Sequence, residues 1–356
     1  MRRGSSGCGR SERAPGRAPA SAPARGRSSR GSCSSRRSRN GRSRARARSP
    51  PGGRSSLLRI PWNDTIRTQV SRVPLFSISQ VSTLSASFTD DVRAYTEAGV
   101  DGIGVWELKL GDDSLDEFRA SGLGSATAVP AVPSVHPLPL LPGPDTVRER
   151  VAALLRSLEI LAAYEPAAIL CFPGPGDRET AVRGVRELAR EAERLNLRLA
   201  VEPFQLEGIE SWSILNTLGD AAEFLEEVGS DAVGIQFDVW HLWNSPGLLE
   251  EIPRYAHLIA GVHVSDWREP TRGWADRVLP GDGAADLSAI LGVLEDVGWD
   301  GFYDLEIFSD TFGSAYPDSL WDLDAAELAH RGRDAFTNTW SKRRVPAEAA
   351  GRRGET

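Results

Sequence analysis

The chain has 356 residues, 40% of them hydrophobic, which is enough apolar material for a sizeable core, and no apolar run approaches the roughly 20 residues that cross a bilayer; a membrane protein is not expected. The formal charge of −7 hides two unlike parts: the first 54 residues hold 16 Arg against the single acid Glu12, or +15, which leaves −22 on the remainder. So acidic a body repels phosphate backbones, which argues against a nucleic-acid partner, and three Cys without metal-type spacing fit a reducing, cytoplasmic setting.

Residues 1–56 are rich in Arg, Ser, Gly, Pro and Ala and almost devoid of Leu, Ile, Val and aromatics, so a disordered tail is expected there. A nucleic-acid arm, an organellar transit peptide and upstream sequence translated from a misplaced start are the three readings. The tail lacks the apolar stripe of a targeting helix, and the inert reading is preferred. Met1 is the only Met, so an alternative start would fall on a Val or Leu between Leu57 and Val73.

From Phe76 onward short apolar runs alternate with helical patterns, the signature of βα repeats. Eight strands are expected: Phe76 to Ser82, Gly102 to Glu107, Ala126 to Ser134, Ala167 to Phe172, Leu197 to Phe204, Val233 to Asp238, Ile259 to Asp266, and Gly301 to Phe308. Helical patterns such as "RETAVRGVRELAREAERLN" and "GDAAEFLEEVG" lie between them, several ending in Gly or Asn as helix C-termini do. Eight such repeats close most simply into a (β/α)8 TIM barrel over 70–342, with ligands at the carboxyl ends of the strands. An open doubly wound sheet is disfavoured because no GxGxxG follows the first strand. "DSLWDLDAAELAHRGRDAFTNTW" reads as a closing helix, and 343–356 as a flexible tail.

The last four strands end in "LAVEPF" with Glu202, "IQFDVWH" with Asp238, "GVHVSDW" with His263 and "YDLEIF" with Glu306. Singly, each has an ordinary role as a salt-bridge partner, a helix N-cap or a core histidine. Four in ring order would repel one another unless a cation joined them, so they are read as metal ligands. Three carboxylates and one imidazole suit Mn²⁺ first, with Mg²⁺, Co²⁺ or Zn²⁺ as alternatives.

The pattern Glu202-Pro203, Asp238-x-x-His241, His263-Val264-x-Asp266, "GDG" at Gly281 to Gly283, and Glu306 resembles the sugar phosphate isomerase/epimerase family of xylose isomerase-like TIM barrels, over roughly Phe76 to Trp340. The resemblance implies that Glu202, Asp238, His263 and Glu306 hold the metal, and that His241 either supports a ligand from behind or contacts substrate. It also implies an isomerase or epimerase of a sugar, keto-sugar or cyclitol working through an enediolate. Glu202 and Glu306, on strands apart in the ring, would remove and return the proton, with His241 donating to a substrate oxygen. The alternative on the same scaffold is a lyase, an inosose dehydratase or a C-glycoside deglycosidase acting on a 3-keto-glycoside.

Other residues are expected at the mouth. Arg268 stands near the position of a substrate-binding Arg in related epimerases. Glu107, Trp106 and Lys109 end the second strand, and His136 ends the third. Lys109 and Lys342 are the only lysines, which makes a Schiff-base aldolase a poor fit. Ten Trp, among them Trp106, Trp212, Trp240, Trp243, Trp267 and Trp274 at or after strand ends, suit a carbohydrate larger than a triose, such as a glycoside, or else cover the mouth at a contact with a second copy or a small accessory subunit. A repair nuclease would need many His for a multi-zinc cluster, and this chain has five. A chain beginning at Leu57 is expected to fold and keep full turnover. Loss of soluble protein or of activity on that truncation would show the tail to be part of the working molecule.

Overall fold

The computed structural model describes residues 74–139, 143–205, 212–310 and 316–343. The expected tails lie outside the described residues, apart from Arg343, whose guanidinium pairs with Glu295. No helix among the described residues is long and apolar enough to cross a membrane.

The strands are β1 (Phe76–Ser79), β2 (Gly102–Gly104), β3 (Gly124–Ser125), β4 (Thr127–Ala128), β5 (Ala168–Leu170), β6 (Leu199–Val201), β7 (Val233–Asp238), β8 (Ile259–Val264), β9 (Asp266–Trp267), β10 (Arg277–Val278) and β11 (Tyr303–Leu305). All but β9 and β10 form one parallel sheet in the order β3-β2-β1-β11-β8-β7-β6-β5-β4. Its two ends, β3 and β4, are pieces of one stave. Ala126 between them donates to Ile103 at 2.9 Å on one side, and its carbonyl accepts from Ala167 at 3.0 Å on the other, so the wall is a nearly closed eight-stave barrel. This is the expected TIM barrel. β7 and β8 are buried on both faces, as barrel staves packed between an inner core and an outer helical layer must be.

The third stave is shorter than expected. Pro130 and Pro133 lie inside the run Ala126 to Ser134 and cannot donate to a ladder, so regular pairing stops at Ala128 and continues only as isolated bridges, Val129 with Trp106 and Ser134 with Phe172. The first stave ends at Ser79 rather than Ser82 because Gln80–Thr83 turn into a 3-10 helix, whose Gln80 and Thr83 side chains donate to Asp91.

The helices are α1 (Phe88–Ala98), α2 (Ser114–Ser121), α3 (Val147–Leu161), α4 (Arg178–Leu195), α5 (Leu218–Val228), α6 (Val239–Leu242), α7 (Leu248–Tyr255), α8 (Leu287–Asp296) and α9 (Ala325–Ser341). Their starts follow capping chemistry. Ser87, Thr146, Asp177 and Asp324 each accept a first-turn N–H, and Thr217 with Asp220 forms a reciprocal capping box. Asn196 ends α4 in the left-handed region at φ 55°. The expected closing helix is α9. Its Phe336 stacks on Phe76 at 4.7 Å and lies 5.5 Å from Tyr303, which seals the seam between the first and last staves.

Register sets the height of the functional groups. Asp238 of β7 lies beside His263 of β8, and Asp304 of β11 lies beside the same histidine, with Glu306 two residues further up. The staves pass so close that Gly104 has no room for a side chain. A Cβ there would lie 2.4 Å from Asp304 Oδ2 and 2.8 Å from the Ser79 Cα. Gly104→Ala should therefore destabilise the fold by about 1–3 kcal/mol, the usual effect of overpacking, read as a lower midpoint in thermal or urea unfolding.

Candidate metal centre

Glu202 follows β6, Asp238 ends β7, His263 lies in β8 and Glu306 follows β11, and each offers a ligand atom within 4.8 Å of the other three. All four are buried. His263 Nδ1 is 3.2 Å from Glu306 Oε2 and 3.7 Å from Glu202 Oε1, yet it makes no hydrogen bond, and Glu202 Oε1 has no partner either. Orphaned donor atoms that converge on a common point fit a divalent cation, and the hard donor set agrees.

Electrostatics tell the same story. Burial, with the charges of Asp238 and Glu306 added, pushes the Glu202 carboxyl up to about 8 despite His263. Burial also raises Asp238, against the pull of Arg277. Glu306 is buried too, but His263 and Arg277 outweigh the desolvation and hold it down at about 2. His263 itself is desolvated, but the carboxylates beside it carry it well above the usual histidine value.

The same geometry exposes two residues that sequence reasoning missed. Arg277, 3% exposed, places Nη1 2.8 Å from Asp238 Oδ2 and 3.1 Å from Glu306 Oε2. Its Nη2 donates to His241 Nε2 at 3.3 Å, and its plane lies over Trp240 and Phe308, 4.9 and 5.3 Å from the ring centroids. Because a guanidinium only donates, His241 accepts at Nε2 and carries its proton on Nδ1, which has no partner. Burial, with Arg277 adding to it, lowers this imidazole well below its ordinary value and keeps it neutral.

The route by which Arg277 arrives explains the Asp266 and "GDG" motifs. β10 pairs antiparallel with β9, Val278 beside Asp266. The Asp266 carboxylate accepts from the backbone of Trp267, Gly281 and Ala285 at 2.8, 2.9 and 3.0 Å. A Cβ on Gly283 would lie 2.4 Å from that carboxylate, so the second glycine of the motif is steric. The clue in the sequence was a basic residue four positions ahead of "GDG".

The second missed residue is Asp304, two positions before Glu306 and hence on the same face of β11. It is 1% exposed, accepts from Ser77 Oγ at 2.7 Å, and presents Oδ2 to His263 Nε2 at 3.8 Å. Burial raises its carboxyl to about 7, against the pull of His263. At that distance the two make no hydrogen bond, and Asp304 acts on His263 as a nearby buried acid on the side of the ring away from Glu306.

The other expected residues are placed as follows. Trp106, Trp212 and Trp274 line the cavity above the centre, together with Glu202, His241, Arg277, Glu306, Phe172, Phe204 and Phe308. Trp240 lies beneath Arg277 and against Trp267, 1% exposed. Arg268 is turned to Asp276 at 2.9 Å and Asp318 at 3.0 Å, where Arg272 joins the same pair of acids. Glu107 accepts from the Ala131 N–H at 2.7 Å, and His136 Nε2 is 3.0 Å from the Asp177 carbonyl. Lys109 is held by Asp91 and the Thr83 carbonyl, each at 2.7 Å. Asp238 also serves as an N-cap, its Oδ1 accepting from Trp240 N at 2.8 Å at the start of α6.

The family described as xylose isomerase-like TIM barrel matches residues 92–336. The chain belongs to this family. A D-psicose 3-epimerase of Enterocloster bolteae is 31% identical over 169 residues, 45% of this chain and 52% of the epimerase. An inosose isomerase of Bacillus licheniformis is 30% identical over 169 residues, 46% of this chain and 56% of the isomerase. The matches thus span about half the length of these family relatives. The crystal structure of the IOLI protein with a binding zinc atom shares the barrel, with a TM-score of 0.62 at 20% identity, over 76% of this chain and 99% of that one.

Metal binding should expel protons, because at pH 7 Glu202 is mostly protonated and His263 is held in its charged form by Glu306 and Glu202. Calorimetric titration of metal into the apoprotein in buffers of differing ionisation enthalpy should report release of about one to two protons per ion. Affinity should rise with pH until Glu202 is ionised near 8. In the apoprotein the raised Glu202 pKa stabilises the fold most below its unfolded value of 4.5, and that contribution is lost as pH climbs through 8.

Proposed function

We propose that the protein is a divalent-metal-dependent isomerase or epimerase of a keto-sugar or cyclitol. The observation that carries the reading is the pairing of Glu202 and Glu306, two carboxylates on staves separated by β7 and β8, in one cavity with His241 and Arg277. The names of the half-length relatives support it.

Glu202, Asp238, His263 and Glu306 are the residues that would hold the ion, and Mn²⁺ is proposed on the hardness of three carboxylates and one imidazole. When bound, the ion supplies a Lewis acid that polarises a carbonyl and acidifies the C–H beside it. Glu202 and Glu306 exchange that proton with the substrate carbon, one taking it and the other returning it, which from opposite sides inverts the centre. Arg277 and His241 form a fixed pair of donors, Nη2–H and Nδ1–H, for substrate oxygens, with the guanidinium locked between Trp240 and Phe308. The surrounding apolar lining excludes water, so that charge developing on oxygen is met by these fixed groups rather than by solvent. A lyase reading on the same residues is favoured only by the aromatic lining, which suits a bulky leaving group.

Incubation in D₂O with ketoses, inososes and 3-keto-glycosides should place deuterium on the carbon beside the carbonyl of the substrate, with product mass otherwise unchanged; loss of a group would identify the lyase. Thorough chelation should abolish turnover. Asp238→Asn should lose metal and activity together. His241→Asn should keep its metal and its fold while slowing by about two to four orders of magnitude. Full activity in chelator would end the metal mechanism, and near-native turnover by His241→Asn would make that residue structural.

A further inference from the structure

Glu202, His241, Arg277 and Glu306 form the polar floor of the cavity, and its wall of rings includes Trp212 and Trp274. Of the floor residues, Arg277 alone comes from a hairpin outside the barrel sheet. That hairpin has little ladder of its own: β9 and β10 are two residues each, with Trp267 beside Arg277 and Asp266 beside Val278. So short a pairing is marginal by itself. The Asp266 carboxylate gathers one end of it, at Gly281 and Ala285. The turn, residues 268–276, depends on Asp276.

Asp276 directly precedes β10 and is 1% exposed. Its Oδ1 accepts from Arg268 Nε at 2.9 Å and Arg272 Nη2 at 2.5 Å, and its Oδ2 accepts from the Arg272 backbone N–H at 2.8 Å and Arg272 Nε at 2.9 Å. Four bonds fill the four acceptor positions of a carboxylate. Burial works to raise this carboxyl, but Arg272 and Arg268 outweigh it and hold the group below the usual carboxylate range. Asp318 then ties both guanidiniums to the segment after β11, 3.0 Å from Arg268 Nη2 and 2.6 Å from Arg272 Nη1, and the Arg272 guanidinium carbon lies 3.9 Å from the Tyr316 ring centroid. The turn is thus anchored on one acid and docked by another.

Neighbouring side chains of an extended chain point to opposite sides. With Asp276 drawn to the arginines of the turn, the next side chain is directed the other way, onto Asp238 at 2.8 Å and Glu306 at 3.1 Å. The Arg277 N–H fixes the backbone there by donating to the Phe308 carbonyl at 3.0 Å. We propose that Asp276 is a positioning residue of the centre: pinned by Arg268 and Arg272, it sets where the Arg277 guanidinium lies on Asp238 and Glu306, and so how those two acids are presented to an ion. Arg268 is then a strut of the floor rather than a contact to substrate. The step from Arg277 to the ion rests on the metal-dependent reading above, whereas the step from Asp276 to Arg277 does not.

Two measurements test the two steps. Asp276→Asn keeps the shape of the side chain but turns an N–H₂ toward the guanidiniums, and Arg272→Met, at a partly exposed site, removes the partner instead, so a fold lost in the first leaves the second readable. Crystal structures should show the Arg277 guanidinium displaced from Asp238 and Glu306 by about 1 Å or more, with the staves unmoved. Arg277 held at its present distances in every variant that folds overturns the proposal. In solution, calorimetry of full-length protein with Mn²⁺ is run as a double-mutant cycle with Arg277→Met. Asp276→Asn should shift the Kd about three- to tenfold, in the same direction as Arg277→Met, and by less than about twofold where Arg277→Met is already present. Equal shifts in both backgrounds mean that Asp276 acts without Arg277, and overturn the step to the ion. If the unsubstituted protein takes up no Mn²⁺, the metal reading falls and the crystal structures alone decide the role of Asp276.

Discussion

Glu202, Asp238 and Glu306 bring three carboxylates, with the imidazole of His263, inside 4.8 Å at a buried end of the barrel. Like charges at that spacing and depth cannot all stay ionised alone: burial first, with the charges of Asp238 and Glu306 added, raises Glu202 to about 8. A permanent internal cation, Arg277, relieves part of it by lying on Asp238 and Glu306. The three ligand carboxylates and the guanidinium sum to −2 when His263 is neutral, the charge that one divalent ion cancels, and Asp304 adds to that sum only where it is ionised. A monovalent counterion would leave the site charged in a low dielectric, so charge balance and donor chemistry lead separately to the same class of ion.

Much of the surrounding architecture holds Arg277 in that role. The Asp266 carboxylate gathers the backbone of Trp267, Gly281 and Ala285, β10 pairs with β9, and Trp240 and Phe308 sandwich the guanidinium. Beneath the ligands, inside the barrel, Ser77 holds Asp304 behind His263, and Thr127 donates to Gln236, two residues below Asp238. These hydrogen bonds fix Asp304 and Gln236 in a buried polar layer next to the ligands. The centre is thus supported from above by a clasp and from below by a second polar layer.

The fold and the four-residue centre were legible in the sequence because both depend on periodicity. Strand and helix alternation marks a βα barrel, and a polar residue at the carboxyl end of an apolar strand marks the functional face. Asp304 obeyed the same rule two residues earlier, but it lay inside the run read as buried wall. Arg277 was harder, since it sits on a two-residue strand paired outside the barrel and reaches the centre only through tertiary folding. Arg268 stood nearer the seventh stave in sequence, yet Asp276 and Asp318 hold its guanidinium. The third stave was misjudged because apolar content was weighed above the two prolines that interrupt its ladder.

The division between floor and wall follows from which parts of a barrel can vary. Glu202, Asp238, His263 and Glu306 ride on or directly after paired staves, where a shift of register by one residue would turn each side chain to the other face. Their arrangement is therefore tied to the sheet itself. Trp212 and Trp274 are carried by connecting segments, where a change of length or sequence leaves the staves untouched. The wall can therefore be altered by changes in connecting segments without disturbing the floor that the staves carry.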